Sequence, residues 1–203
     1  RRPGRHAIRR FDGSLSHLAS TARLSMMRGW PSNSGGEAVV RLRDGRFLLF
    51  SEGAGSADSG YAALLFSGDP ANLDAEPVMF RYRPVQNFHV TDAKQLPDGQ
   101  VILLERRFSL PFRFSARLSL LDPADILPGK LIEGQPLGLL FPDSLVDNME
   151  GIAVEADGDD TILWIISDDN FTILQRTILM KFRLGPDAKK PVAGPAPGFQ
   201  SLK

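Results

Sequence analysis

Three carboxylates, Glu37, Asp92 and Glu150, recur at intervals of 55 and 58 residues, each just before an apolar stretch. Carboxylates gathered in one place repel unless a cation or a proton stands among them, and oxygen-only ligands suit Ca²⁺, the first expectation here, or Mg²⁺. Such an ion could polarise a phosphoryl oxygen or activate water. A second set of charged groups follows each of the three: Glu52, then Glu105 with Arg106, then Asp168 and Asp169, with Arg176 a few residues on. Glu52, Asp168 and Asp169 are the residues able to handle water. Arg106 and Arg176 are the cations best suited to grip a phosphate, because a guanidinium fork meets phosphate oxygens bidentately.

The elements that must position these groups read as strands. In every copy the carboxylate precedes an apolar strand, an Asp-Gly turn follows (Asp44-Gly45, Asp98-Gly99, Asp157-Gly158), and a second apolar strand ends in charged residues. Strands are predicted at 38–42, 47–51, 61–67 and 78–83, at 93–96, 100–105 and 116–121, near Leu131 or Leu139, and at 152–155, 161–167 and 177–184. Residues 6–11 read as a strand, 15–27 as a short helix or an edge strand, and 122–126 as one helical turn with Pro123 at its start. Hairpin chemistry at a fixed period of this size marks a repeat architecture, and four-stranded β-propeller blades fit it. Radial stacking would bring the leading carboxylates toward one axis.

The predicted fold is therefore all-β. Residues 1–184 make about three to four blades of a propeller of about six, and the Pro/Gly-rich stretch 185–203 forms a tail with no core of its own. The chain opens without Met and in mid-pattern, which predicts that a leader and further blades precede it. Blades left open at their edges could also associate with a second chain.

Composition narrows the function classes. With 203 residues, 42% hydrophobic, and Lys plus Arg equal to Asp plus Glu at 24 each, the chain can bury a sizeable core and lacks the basic excess of a nucleic-acid binder. The local arginine cluster, Arg1, Arg2, Arg5, Arg9 and Arg10, reads as a solvated blade edge. No window is apolar for the length of a membrane span, and no secretory leader is present. The absence of Cys excludes disulfides, thiol catalysis and Cys-zinc sites. No P-loop, nucleophile elbow or His-Glu-x-x-His motif occurs, and the Gly53–Gly60 run lacks dinucleotide spacing, reading instead as a mobile loop at a blade rim.

Each marked residue also has a structural alternative. Asp44, Asp98 and Asp157 fit tight-turn chemistry, and Asp168, Asp169 and Asn170 fit an Asx turn. Glu37, Asp92 and Glu150 could accept hydrogen bonds from neighbouring strand backbones, and Glu105 could pair with Arg106 or Arg107 between blades. His89 reads as a packing residue at a strand end. Phe108, Phe112 and Phe114 alternate with polar residues in the manner of side chains filling a blade interface rather than stacking on a ligand.

The stretch Asp147, Asn148, Met149, Glu150, Gly151, Ile152, Ala153, with Leu163, Trp164, Ser167 to Phe171 and Gln175 to Thr177, resembles the C-terminal signature of the bacterial phytase-like propeller family, described as "esterase-like activity of phytase". Gly36 to Ala38 with Asp44, Gly45, Ser51 and Glu52 resemble its middle repeat, and Thr91, Asp92, Leu96, Asp98, Gly99 and Leu104 to Phe108 the next; Arg9 to Asp12 fit the end of the preceding blade. The likeness covers nearly all of 5–184. It implies hydrolysis of a phosphate or other ester of a small molecule, phytase- or phosphodiesterase-like, and periplasmic or secreted placement. Two functions stay open: a metal-dependent phosphoric ester hydrolase, and a non-catalytic propeller binding a protein or cell-envelope ligand. A lactonase-type propeller is a third.

Overall fold

The chain is all-β. A computed structural model describes residues 6–72, 77–110, 113–140 and 146–185, and these fall in two compact units, one within Arg1–Arg83 and Ile126–Ile132, the other within Pro84–Asp125 and Glu133–Lys203. Of the expected features, Phe112, the first arginines and the tail from residue 186 lie outside the described residues.

The first unit opens with a hairpin, β1 (Ile8–Phe11) against β2 (Leu18–Ala22). The 15–27 stretch is thus an edge strand followed by a single 3₁₀ turn, Ser25–Met27. Strands β3 (Gly36–Arg41), β4 (Phe47–Ser56), β5 (Gly60–Phe66) and β6 (Val78–Tyr82) then form an antiparallel meander. A two-residue strand, β10 (Leu131–Ile132), adds in parallel beside β6. Leu49, Leu64 and Phe66 on one face pack with Met27 and Trp30. On the other, the buried Phe50 meets Phe80 and Tyr82 edge-on at 6.0 and 5.8 Å. Burial on both faces explains why 47–50 and 62–66 read as continuous apolar runs rather than alternating ones.

The Gly53–Gly60 run, expected as a mobile loop, is instead an extension of the β4–β5 hairpin in which Gly55 pairs with Tyr61 and Ser56 with Gly60. Glycine is needed at Gly60. Its φ is +75°, and a Cβ there would stand 2.5 Å from Leu131 Cδ1 and 3.1 Å from the Tyr82 carbonyl.

The second unit holds two sheets. One is ordered β11-β9-β8-β7, from β7 (His89–Gln95), β8 (Val101–Ser109), β9 (Arg113–Leu121) and β11 (Gln135–Leu140). The other is β12 (Met149–Asp157), β13 (Asp160–Ser167) and β14 (Leu179–Leu184), in that order. In place of one short strand near Leu131 or Leu139 there are two, and they lie in different sheets. Pro123–Asp125 is the expected single turn, of 3₁₀ type. Leu104, Leu118, Leu137, Met149, Ile152, Leu163, Ile165 and Phe182 share one core, so the two sheets of this unit fold together.

The Asp-Gly turns form as read. Gly45 and Gly99 have φ of +90° and +95°, and the preceding carboxylates cap them: Asp44 Oδ1 accepts the Arg46 N–H at 3.0 Å and Asp98 Oδ1 the Gln100 N–H at 3.1 Å. The third is tighter, with Asp157 paired directly to Asp160. All three repeats also share a bulge near the start of the first strand, one that only the pairing reveals. It falls between Gly36 and Ala38, between Val90 and Asp92, and between Met149 and Gly151.

Candidate functional site

The bulge residues are Glu37, Thr91 and Glu150. Asp92 is therefore not the counterpart of Glu37 and Glu150. It stands one residue later, paired with Leu104, and one residue along a strand is the opposite face. The equivalent position is held by Thr91, whose buried hydroxyl lies 3.1 Å from the Met149 carbonyl and 3.4 Å from that of Leu104. Asp92 serves a different purpose. Its Oδ2 accepts the Ile152 N–H at 2.9 Å, its Oδ1 the Ala93 N–H at 2.7 Å, and Lys94 Nζ sits 2.9 Å away. The carboxylate thus ties the edge strand β7 to the edge strand β12 of the neighbouring sheet, which is the structural alternative read for it.

Glu150 meets Arg106, whose guanidinium also donates to Asn148 Oδ1. As they stand, Asp92 and Glu150 do not fit a shared divalent cation, since Lys94 and Arg106 already supply the positive charge a cation would bring. Among the described residues no three His, Cys, Asp or Glu side chains are grouped as a metal would need. Glu37 and Glu52 belong to the other unit. Glu37 is exposed, and Glu52 is half-buried with its N–H bonded to the Gly35 carbonyl at 3.0 Å. Burial first, and the charge of Glu52 second, raises the Tyr61 hydroxyl above its ordinary pKa.

Two residues quoted for the family likeness but not marked as site candidates organise the polar region of the second unit. Asp147 and Asn148 are both buried. Asp147 Oδ1 accepts the Asn148 N–H at 2.9 Å and its Oδ2 the Arg176 N–H at 3.0 Å, while Arg176 Nε stands 3.8 Å from the same oxygen. The Asn148 carbonyl takes the Asp168 N–H at 2.9 Å. A continuous run of contacts therefore leads from Glu150 and Arg106 through Asn148 and Asp147 to Arg176, with Asp168 attached. The legible signal was two adjacent polar residues at the head of an apolar strand, where burial demands partners.

Asp168 and Asp169 cap the next turn as an Asx pair: their Oδ1 atoms accept the N–H groups of Asn170 at 3.0 Å and Phe171 at 2.9 Å. Asp169 Oδ2 also takes the Thr177 hydroxyl at 3.1 Å. Both oxygens of Asp169 are thus engaged, and Asp168 is the more exposed of the two. Asn170 and Phe171 both adopt positive φ, 48° and 55°, and the chain then folds back toward β14 with Phe171, Ile173 and Leu174 exposed.

A cleft of about 680 Å³ opens beside this loop, lined by Phe108, Phe114, Val146, Asp147, Thr172, Leu174, Gln175 and Arg176. Phe108 and Phe114 face each other across β8 and β9 with ring centroids 5.1 Å apart. Rather than filling a blade interface, they form a wall of the cleft, because β8 and β9 run past the buried part of the sheet and carry the pair to its rim.

The phytase-like family model, described as "esterase-like activity of phytase", matches residues 3–171. No curated protein and no solved structure matches the chain. The matched span takes in the bulged repeats, the Asp147–Asn148 pair, Arg106 and Asp168, and ends before Arg176. With most of its length covered by that one family model, the chain belongs to the phytase-like family.

Proposed function

We propose that the chain is a hydrolase of a phosphoric ester, acting at the polar run of the second unit and built as blades of a β-propeller. The observation that carries this reading is the buried Asp147–Asn148 pair, which holds Arg106 through a side chain and Arg176 through its backbone. Arg176, its side chain 59% exposed on this hydrogen-bonded frame, suits the binding of an anion whose charge grows during displacement, and Arg106, paired with Glu150, steadies the frame through Asn148. Asp168 takes the proton of the attacking water, being exposed where Asp169 is committed to its turn. The meanders of three and four strands, each starting from an edge strand, are the support for the propeller. Periplasmic or secreted placement belongs to the same proposal and rests on the family likeness alone.

The test is turnover of an aryl phosphate monoester, a phosphodiester and a carboxylic ester by the full chain, each with Ca²⁺ and with EDTA. Expected are hydrolysis of a phosphoric ester and a loss of at least about tenfold in kcat/KM for Arg106→Gln and Asp168→Asn, equal to about 1.4 kcal/mol of transition-state stabilisation. Turnover indistinguishable from buffer on every ester, or variants equal to the native chain, would overturn the reading. One observation favours a second function, the binding of a protein or envelope ligand. Phe171, Ile173 and Leu174 are exposed on a loop pinned by hydrogen bonds at both ends.

A further inference from the structure

We infer that the cleft beside Arg176 binds a singly phosphorylated ester with an aromatic body, and not a polyphosphorylated one. The inference deepens the hydrolase reading by naming the substrate class of that region, and its binding arm stands apart from turnover.

The walls set the shape of the ligand. Phe108 and Phe114 lie tilted by 50° at 5.1 Å, with Phe108 49% exposed, and Val146 and Leu174 extend the apolar lining. A third ring entering between these walls gains aromatic contact as well as burial. A volume of about 680 Å³ is that of a small-molecule cleft with a few placed polar groups.

The polar groups set the charge. Arg176 supplies one guanidinium, and its side chain is 59% exposed. Gln175 supplies an amide: its Oε1 accepts Asn170 Nδ2 at 3.0 Å and the Thr172 hydroxyl at 3.4 Å. Those two bonds orient the amide and leave the Nε2 donors uncommitted among the described residues. Among the described residues the lining holds one acid, Asp147, and one cation, Arg176, whose charges balance. A monophosphate can take the Arg176 fork with the Gln175 amide beside it. Each further phosphate would bring two negative charges toward Asp147, with no second cation among the described lining residues to offset them.

Calorimetric titration of the full chain with phenyl phosphate, glycerol phosphate and inositol hexakisphosphate tests this, repeated on Phe114→Leu and Arg176→Gln. Phe114→Leu keeps an apolar side chain on β9 and removes only the ring. Phenyl phosphate should bind about tenfold more tightly than glycerol phosphate, and each variant should weaken it by about tenfold. Equal or tighter binding of the hexakisphosphate, or no change in either variant, would overturn the inference. Phenyl phosphate that binds as described yet is not hydrolysed would uphold it and count against the hydrolase reading instead.

Discussion

Glu105 and Arg117 stand directly opposite each other on β8 and β9, and Arg117 Nε approaches Glu105 Oε2 to 2.9 Å with the carboxylate wholly buried. Ser119 adds its hydroxyl to the same oxygen at 2.9 Å. Sequence adjacency offers Glu105 the side chains of Arg106 and Arg107; the sheet adds Arg117, a cation from the facing strand. Arg106 points to the other face of β8, toward Glu150, while Arg107 lies over the Phe88 ring at 4.8 Å, with Arg117 over it at 5.6 Å.

This pairing predicts an asymmetric mutational response. Arg117→Met would take the facing cation from a wholly buried carboxylate and should cost about 3 to 5 kcal/mol, whereas the double variant Glu105→Leu/Arg117→Met should recover most of that loss. Urea unfolding midpoints at constant m-value decide it. A double variant no more stable than Arg117→Met would show that the pair itself, rather than relief of a buried charge that has lost its facing cation, is what the sheet needs.

Asp92 joins two sheets, so its removal should be felt as stability before it is felt as activity. Asp92→Ala strips the Ile152 N–H of its acceptor and should cost about 1 to 3 kcal/mol, with Thr91→Val losing about 1 kcal/mol at the adjoining contact to Met149. Hydrogen exchange at the Ile152 amide should accelerate in Asp92→Ala. Unchanged protection there would mean that β12 does not depend on this carboxylate.

Two glycines of positive φ separate strain from clash. Gly45 has open space around its missing Cβ, while Gly60 does not. Gly45→Ala should therefore lose about 1 kcal/mol from conformation alone, and Gly60→Ala more, up to about 3 kcal/mol. Thermal unfolding of the two variants side by side is the measurement, and equal losses would remove the clash with Leu131 and Tyr82 from the account.

Acid should loosen the first unit at a definite place. The Ser14 hydroxyl foremost, then His17 and the N–H groups of His17 and Ser16, hold the Asp12 carboxyl down from the ordinary 3.8 to about 2. Asp44, chiefly through the Arg46 N–H, and Asp69, chiefly through that of Ala71 and then Arg10, are lowered as well. A carboxyl depressed on folding contributes stability above its unfolded value, and that contribution is lost as the pH falls from about 3.8 toward about 2. Carboxyl chemical shifts should place the Asp12 midpoint near 2 in the native chain and higher in Ser14→Ala. A native midpoint near 3.8 would show that the Asp12 turn does not persist in solution.

What the sequence determined by itself was local. Alternating or continuous apolar runs set the strands around 38–51, 93–105 and 152–167, and Asp followed by Gly set their turns, because strand period and positive φ are properties of neighbouring residues. The family likeness was legible on the same stretches. Tertiary structure decided whatever depends on which residues stand opposite each other. The bulge that puts Thr91 rather than Asp92 beside Glu37 and Glu150 in the pattern, the placing of Arg117 opposite Glu105, the strand β10 crossing to β6, and the exposure of Phe108 and Phe114 in a cleft all follow from register. A slip of one residue reverses every face of a strand, and nothing in the spacing of a single strand records the register of its partner.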